Sequence, residues 1–207
     1  MRVVFVRHGR TKTNISGCFT GRTDLEVVPE SLAEMKQLAA DHPYPAVDAV
    51  YTSPLLRCRQ TAEIFFPNQP AIPLNELAEV DFGDLEGADV LKTFRKIGWD
   101  RFENYDPTLS FPNGEVLGEA IARAVAAVDA IVADAQENNL HTVAVATHLM
   151  LCGALLKHYA APNVTREKFY FANGYGIDTT IEPDEWQRTR RIQYKGLLPD
   201  GAERSQW

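Results

Sequence analysis

The chain of 207 residues carries 21 Lys+Arg against 28 Asp+Glu, a net charge of −7, with 45% hydrophobic residues, 13 Gly and 12 Pro. Such proportions are those of an ordinary globular protein and exclude disordered, collagenous and coiled-coil chains, while the acidic balance opposes the phosphate contacts that dominate nucleic-acid binding. At roughly 150 residues per domain the length predicts a single domain, residues 1–207, carrying an insertion, and able to bury roughly 70% of its unfolded surface without disulfides or a structural metal.

Taken in chain order, the first apolar run is Val3 to Val6, which turns polar at Arg7 long before a signal peptide's apolar region would be complete. Leu32, Met35, Leu38 and Ala39 then recur at helical spacing behind Pro29, a residue suited to a first turn. Val47 to Thr52 is a second strand and Leu55 to Phe66 a second helix. From Asp84 to Gly114 the aromatics Phe94, Trp99, Phe102, Tyr105 and Phe111 sit among Gly, Pro and charge without clean periodicity, which predicts an inserted cap. Glu115 to Asn138 is a long Ala/Val-rich helix, Thr142 to Thr147 a third buried strand and Leu149 to Tyr159 a helix. Late strands are expected at Lys168 to Phe171, Ile177 to Ile181 and Glu185 to Tyr194, and a frayed tail from Gly196 to Trp207. Strands alternating with helices imply an α/β fold, a three-layer α/β/α sandwich on a mostly parallel sheet.

Cys18, Cys58 and Cys152 are odd in number, widely spaced and without a CxxC, so neither a disulfide framework nor a thiolate zinc site is expected. A reducing, cytoplasmic location fits this usage. No run of 18 apolar residues exists to cross a membrane.

In an open parallel sheet ligands bind beyond the carboxyl ends of the strands. Arg7, His8, Gly9, Arg10 and Thr11 follow the first strand, Ser53, Pro54 and Arg57 the second, and Thr147 and His148 the third. Two histidines with Arg7 and Arg57 at three strand ends form a concentrated cationic group in an acidic protein. Arg pairs bidentately with phosphate oxygens, and a neutral imidazole is a competent nucleophile, so the group suits phosphoryl transfer to histidine. A general acid for the leaving oxygen is available in the carboxylates Glu76, Glu79, Asp81, Asp84 and Glu86.

These residues resemble the histidine phosphatase superfamily, the phosphoglycerate-mutase-like proteins, from Val4 to about Asn173, and most of all its short phosphatase branch such as the α-ribazole phosphatases. Arg7-His8-Gly9-Arg10-Thr11 is similar to the family's RHG signature, Asn14 and Gly21-Arg22-Thr23-Asp24 to its N and GRxD stretch, and Ser53 to Ala62 to SPLxRAxxTA. Glu79 to Gly87 matches ExxFGxxEG, and His148 stands where the second family histidine stands. The resemblance implies that His8 is the phosphorylated nucleophile, Glu79 the proton donor, and Arg7, Arg57 and His148 the groups that hold the transferred phosphoryl. It implies substrate or phosphate contacts at Thr11, Asn14, Gly21, Arg22 and Leu149, no metal and no cofactor. A small phosphorylated metabolite would be the partner, with no nucleic acid or membrane, and a homodimer is a family-level expectation.

The chain departs from the pattern at three points. Leu149 replaces the usual Gly after the second histidine and is expected to add bulk at the pocket floor; Leu25 to Glu30 replaces LTxxG; and Gly114-Glu115-Val116 replaces GES. From the residues alone Asp81 or Glu76 competes with Glu79 as the acid and Arg59 with Arg57. Arg22 could instead pair with Asp24 at the surface, and Asn14 could simply cap a turn. The reading is a metal-independent phosphomonoesterase with a phosphohistidine intermediate. The alternatives are phosphoglycerate-mutase-type transfer and a non-catalytic phospholigand-binding module on the same fold.

Overall fold

The computed structural model describes residues 1–162 and 172–199. Its centre is a sheet of seven strands among these residues: β1 (Arg2–Arg7), β2 (Ala49–Thr52), β3 (Ala71–Pro73), β4 (Thr142–Thr147), β5 (Ala160–Ala161), β6 (Gly176–Thr180) and β7 (Ile192–Leu198). The spatial order is β3-β2-β4-β1-β6-β7-β5. The strands from β3 to β1 are parallel, as is β5 beside β7, and only β6 runs antiparallel to its neighbours.

The alternation of side chains along each strand divides the core in two. Val3, Phe5, Tyr51, Val143 and Val145 pack on one face, with Ala120, Ala124, Ala127, Val128 and Ile131 of the long helix α6 (Leu117–Glu137) and Leu151 and Leu155 of α7 (Leu149–Tyr159). Val4, Val6, Val50, Ala144 and Ala146 face the other way, onto Met35 of α2 (Pro29–Asp41) and Cys58, Ala62 and Phe65 of α3 (Leu56–Phe65). Covering both faces is what allows parallel strands to read as continuous apolar runs, and it makes the protein the expected three-layer sandwich. No helix among the described residues is long and apolar enough to cross a membrane.

The segment from Asp84 to Gly114, expected as an inserted cap, holds two short helices, α4 (Val90–Ile97) and α5 (Trp99–Glu103). Asp89 caps α4 by accepting from the Lys92 amide, and Gly98, at φ +106°, breaks the chain between the two. Their aromatics bury one another: Phe94 lies 4.2 Å from Phe102 between ring centroids, and Phe82 meets Phe111 edge-on at 5.0 Å. Phe94 and Phe111 are therefore core residues, while Trp99 is exposed.

Two late expectations are corrected. Glu185 to Tyr194 is not one strand: Pro183 at the first position and Asp184 and Glu185 in the first turn start a helix, α8 (Pro183–Thr189), which buries Trp186 before β7 begins. Gly196 belongs to β7, paired with Asp178, and not to a tail. The expected strand Lys168 to Phe171 lies outside the described residues.

The base of the insertion closes through Gly83, at φ +53°, where a Cβ would stand 2.1 Å from the Pro112 carbonyl oxygen. Gly83→Ala is expected to lose about 3 kcal/mol of stability in urea denaturation, from the left-handed backbone plus the clash. Gly17→Ala, at φ +66° with nothing within 4 Å of the added carbon, is expected to lose only the backbone part, about 1–2 kcal/mol.

Candidate active site

Parallel pairing places the ends of three strands side by side. Arg7 is opposite Thr147 and Thr52 opposite Ala146, so the residues that follow, His8, His148 and Ser53, emerge at one edge of the sheet. Two further bonds continue the ladders past the strands, from the His8 amide to the Thr147 carbonyl (3.1 Å) and from the Ser53 amide to the Ala146 carbonyl (2.9 Å). The imidazoles of His8 and His148 consequently face each other with ring centroids 5.1 Å apart.

His8 is 4% exposed, and its Nδ1 lies 2.7 Å from its neighbour's carbonyl, Gly9 O. A carbonyl only accepts, so Nδ1 carries the proton and Nε2 holds the lone pair. Gly9 is itself fixed by its amide, which donates to Thr61 Oγ1 (2.9 Å), and the His8 carbonyl accepts from Asn173 Nδ2 (2.9 Å). His148 is fully buried, with Nε2 2.8 Å from Ser53 Oγ and 3.4 Å from Cys58 Sγ. Burial first, and the Arg57 charge second, hold both imidazoles well below the ordinary histidine value; Arg7 adds to the effect on His8. Burial likewise pushes the Cys58 thiol up to about 12, so it is a packed thiol beside His148 and not a thiolate.

Neutral buried histidines have a consequence for stability. The unfolded chain takes up their protons near pH 6.5 and the native protein does not, so each lowers stability as pH falls below about 6.5, by up to about 1.4 kcal/mol per pH unit. Glu79, whose carboxyl is raised by burial, acts in the opposite sense between the unfolded carboxyl value of 4.5 and its own higher native value. In urea denaturation His8→Asn is expected to flatten the loss of stability between pH 7.5 and 5.5, and Glu79→Gln to remove the opposing gain as the pH approaches 4.5.

Arg57 starts α3 and is fully buried. It donates from Nη1 to the Thr23 carbonyl (3.0 Å) and from Nη2 to the Gly21 carbonyl (2.8 Å), while Nε has no hydrogen-bond partner. The competing Arg59 is exposed. Arg7 is 4% exposed at the end of β1, where its charge acts on His8. The loop gripped by Arg57 is tied down from its other side by Glu86, which accepts from the amides of Gly21 (2.8 Å) and Arg22 (2.9 Å) and from Thr23 Oγ1 (2.7 Å). Gly21 is required there because a Cβ would stand 2.2 Å from the Val80 carbonyl oxygen, on the segment that bears Glu79.

Of the carboxylates that competed as the acid, only Glu79 is buried. It lies at the N-terminal end of α7, accepting from the amides of Met150 (3.2 Å) and Leu151 (3.0 Å) and from its own neighbour Val80 (2.9 Å). Desolvation raises its pKa above the ordinary carboxyl value, against the opposing pull of these amides and of Arg57. Glu76 is exposed, Asp81 closes a turn by accepting from the Gly83 amide (2.9 Å), and Asp84 accepts from Asn113 Nδ2 (2.9 Å).

The remaining expected contacts sit further out. Thr11 and Asn14 form a capping box for the one-turn helix α1 (Lys12–Ile15), with Asn14 Oδ1 accepting from the Thr11 amide, so the turn-capping role of Asn14 is realised. Arg22 does not pair with Asp24: its guanidinium lies 3.6 Å from Glu115, and Asp24 instead accepts from the Leu56 amide at the start of α3 (2.7 Å). Leu149, expected at the pocket floor, is half-buried against the apolar core at the first position of α7. Sequence reasoning missed Asn173, 165 residues from His8, and Arg123, whose one signal was to be the single cation of α6. Among the described residues no three or more His, Cys, Asp or Glu side chains are arranged to hold a metal ion.

The histidine phosphatase superfamily (branch 1) matches residues 3–191 of the chain. The chain belongs to that superfamily. Members similar to it include both phosphatases and mutases. Phosphoglycerate mutase 1 of Saccharomyces cerevisiae is 33% identical over 120 residues, 54% of this chain and 48% of that protein. The 2-carboxy-D-arabinitol-1-phosphatase of Triticum aestivum is 40% identical over 93 residues, 42% of this chain and 18% of that protein. The chain spans 48% to 64% of the length of the first curated relatives it matches. In fold, the α-ribazole phosphatase of Shigella flexneri superposes with a TM-score of 0.73 over 98% of this chain and 100% of that one, at 18% identity.

Proposed function

We propose that the protein is a metal-independent phosphatase of small phosphomonoesters that works through a phosphohistidine. The observation that carries this reading is the pairing of a neutral His8, whose Nδ1 is committed to Gly9 O, with a buried Glu79 of raised pKa. His8 Nε2 attacks phosphorus, the bond to the ester oxygen breaks, and that oxygen takes the Glu79 proton. The phosphorylated ring keeps its Nδ1 proton on the Gly9 carbonyl, which offsets the positive charge. Water then attacks the phosphohistidine, gives its proton to the Glu79 carboxylate, and the P–N bond breaks to release phosphate and restore both groups. Arg7, Arg57 and His148 surround the transferring group, with the unpartnered Arg57 Nε a donor toward its oxygens.

The mutase relatives make phosphoryl return to a second substrate the competing reading. It requires cations for a second anionic group. Of the arginines further out, Arg10 is matched by Glu34 at 2.6 Å and Arg22 lies 3.6 Å from Glu115, a carboxylate it shares with Arg123, so at most Arg22 of the two keeps charge for such a group, which favours hydrolysis. The test is p-nitrophenyl phosphate hydrolysis in EDTA beside conversion of 3-phosphoglycerate in the presence of 2,3-bisphosphoglycerate. Hydrolysis that survives EDTA with no isomerisation supports the phosphatase. Isomerisation faster than hydrolysis would replace that reading, and phosphate binding without either reaction would make the protein a binding module.

A further inference from the structure

Glu79 stands on a segment with no regular hydrogen-bond ladder of its own. Between Asn75 and Gly83 the chain passes from one turn of 3₁₀-helix (Asn75–Leu77) through Ala78 to Phe82 into a second (Gly83–Leu85), so its backbone groups need partners from elsewhere. One side chain supplies three of them. Arg123 of α6 donates from Nη1 to the carbonyls of Glu76 (2.8 Å) and Ala78, and from Nη2 to the carbonyl of Glu79 itself (3.0 Å). The one carbonyl skipped, Leu77 O, accepts from Thr147 Oγ1 (3.3 Å) at the end of β4, next to His148.

The guanidinium is held in turn by Glu115. Arg123 Nε and Nη2 donate to its two carboxylate oxygens at 2.6 and 2.9 Å, and both side chains are only 17% exposed. Glu115 also accepts from the Asp81 amide (2.9 Å), while its own amide donates to the Asp81 carbonyl (2.9 Å). The pair therefore grips the chain on both sides of Glu79, at residues 76, 78 and 79 and again at 81. A surface ion pair of ordinary worth contributes little. This pair differs in that all its donors are used on the backbone or in the fork, a pattern that a lysine ammonium cannot reproduce.

We propose that Arg123, held by Glu115, is a positioning residue that sets the Glu79 carboxyl against the leaving oxygen. The inference rests on Glu79 being the acid. Proton donation matters for an alkoxide leaving group and hardly at all for p-nitrophenolate, which departs unprotonated. All five N–H donors of Arg123 go to Glu115 and the backbone, and its charge reaches His148 only from a distance, so the part of its loss that passes through the acid is the part that discriminates leaving groups.

The experiment measures kcat and KM for an alkyl phosphate and for p-nitrophenyl phosphate in wild type, Arg123→Gln, Arg123→Lys and Glu79→Gln, with Tm recorded for each. Arg123→Gln is expected to lower kcat/KM, which reports transfer to His8 and not the Glu79-assisted hydrolysis of phosphohistidine common to both substrates, by about 30-fold on the alkyl ester and by less than about 3-fold on p-nitrophenyl phosphate; Arg123→Lys should fall between it and wild type. Equal losses on both substrates, or no loss on either, would overturn the proposal even where Tm falls, because a purely structural role does not discriminate leaving groups. Should Arg123→Gln fail to fold, Glu115→Gln weakens the same grip and is judged by the same split, expected at about 5-fold. Glu79→Gln separates the two levels. If it shows the split and Arg123→Gln does not, the positioning role fails alone; if it shows none, the acid assignment falls and the positioning role with it.

Discussion

Replacing His8 by alanine is expected to reduce turnover of any phosphomonoester by about 10,000-fold or more and to abolish an acid-labile phosphoprotein. The size follows from position. His8 is the one imidazole whose Nδ1 is committed to a carbonyl, leaving Nε2 unprotonated, and its environment of burial, Arg57 and Arg7 keeps the ring neutral through the physiological range. His148 cannot take over, because its Nε2 already lies within hydrogen-bond distance of Ser53 Oγ. The check is rapid quench with radiolabelled substrate, reading both phosphate release and label that survives alkali and is lost in acid. A His8→Ala protein that still turns over at a tenth of the wild-type rate, or still carries acid-labile label, would remove His8 from the nucleophile's place.

Arg57→Met is expected to lower kcat/KM by about 1,000-fold and to destabilise the fold by about 2–4 kcal/mol, two effects with separate origins. The loss of activity comes from removing a fixed charge beside His8, Glu79 and His148, whose titration it influences in each case. The loss of stability comes from the carbonyls of Gly21 and Thr23, which would be left unpaired in the interior. Methionine fills much of the space, so the cavity contribution is small. Urea denaturation and steady-state kinetics on the same preparation separate the two. Arg57→Lys should recover part of the stability and little of the activity, since an ammonium reaches one carbonyl and lacks the free Nε edge. Equal recovery of both would argue that Arg57 acts on the loop and not on the phosphate.

Much of the protein is decided locally. Runs such as Val3 to Val6 and Thr142 to Thr147 can only be strands buried on both faces, and the helical spacing behind Pro29 and the Ala-rich stretch after Glu115 leave little choice of helix. The residues that follow the strands meet because parallel neighbours end together, which is why His8, Arg57 and His148 are legible in the sequence as one group. Glu185 to Tyr194 was misread for the complementary reason. Its mixture of Trp, Ile and Tyr satisfies a strand pattern, yet Pro183 and the acidic first turn start a helix whose Trp186 finds its donor's partner only across the fold, in Asp129 of α6 at 2.7 Å.

The order of motifs along the chain determined by itself which groups would meet at the sheet's edge, because backbone pairing and burial act through short-range patterns. What only the tertiary structure decided is how those groups are charged and aimed. Glu79 differs from the other carboxylates Asp81 and Glu76 in being dry, and desolvation is a property of the assembled interior. Arg22 chose Glu115 over the nearby Asp24, and Arg123 reaches back 44 residues to hold the carbonyl of Glu79, because hydrogen bonds are satisfied by whatever lies closest in space.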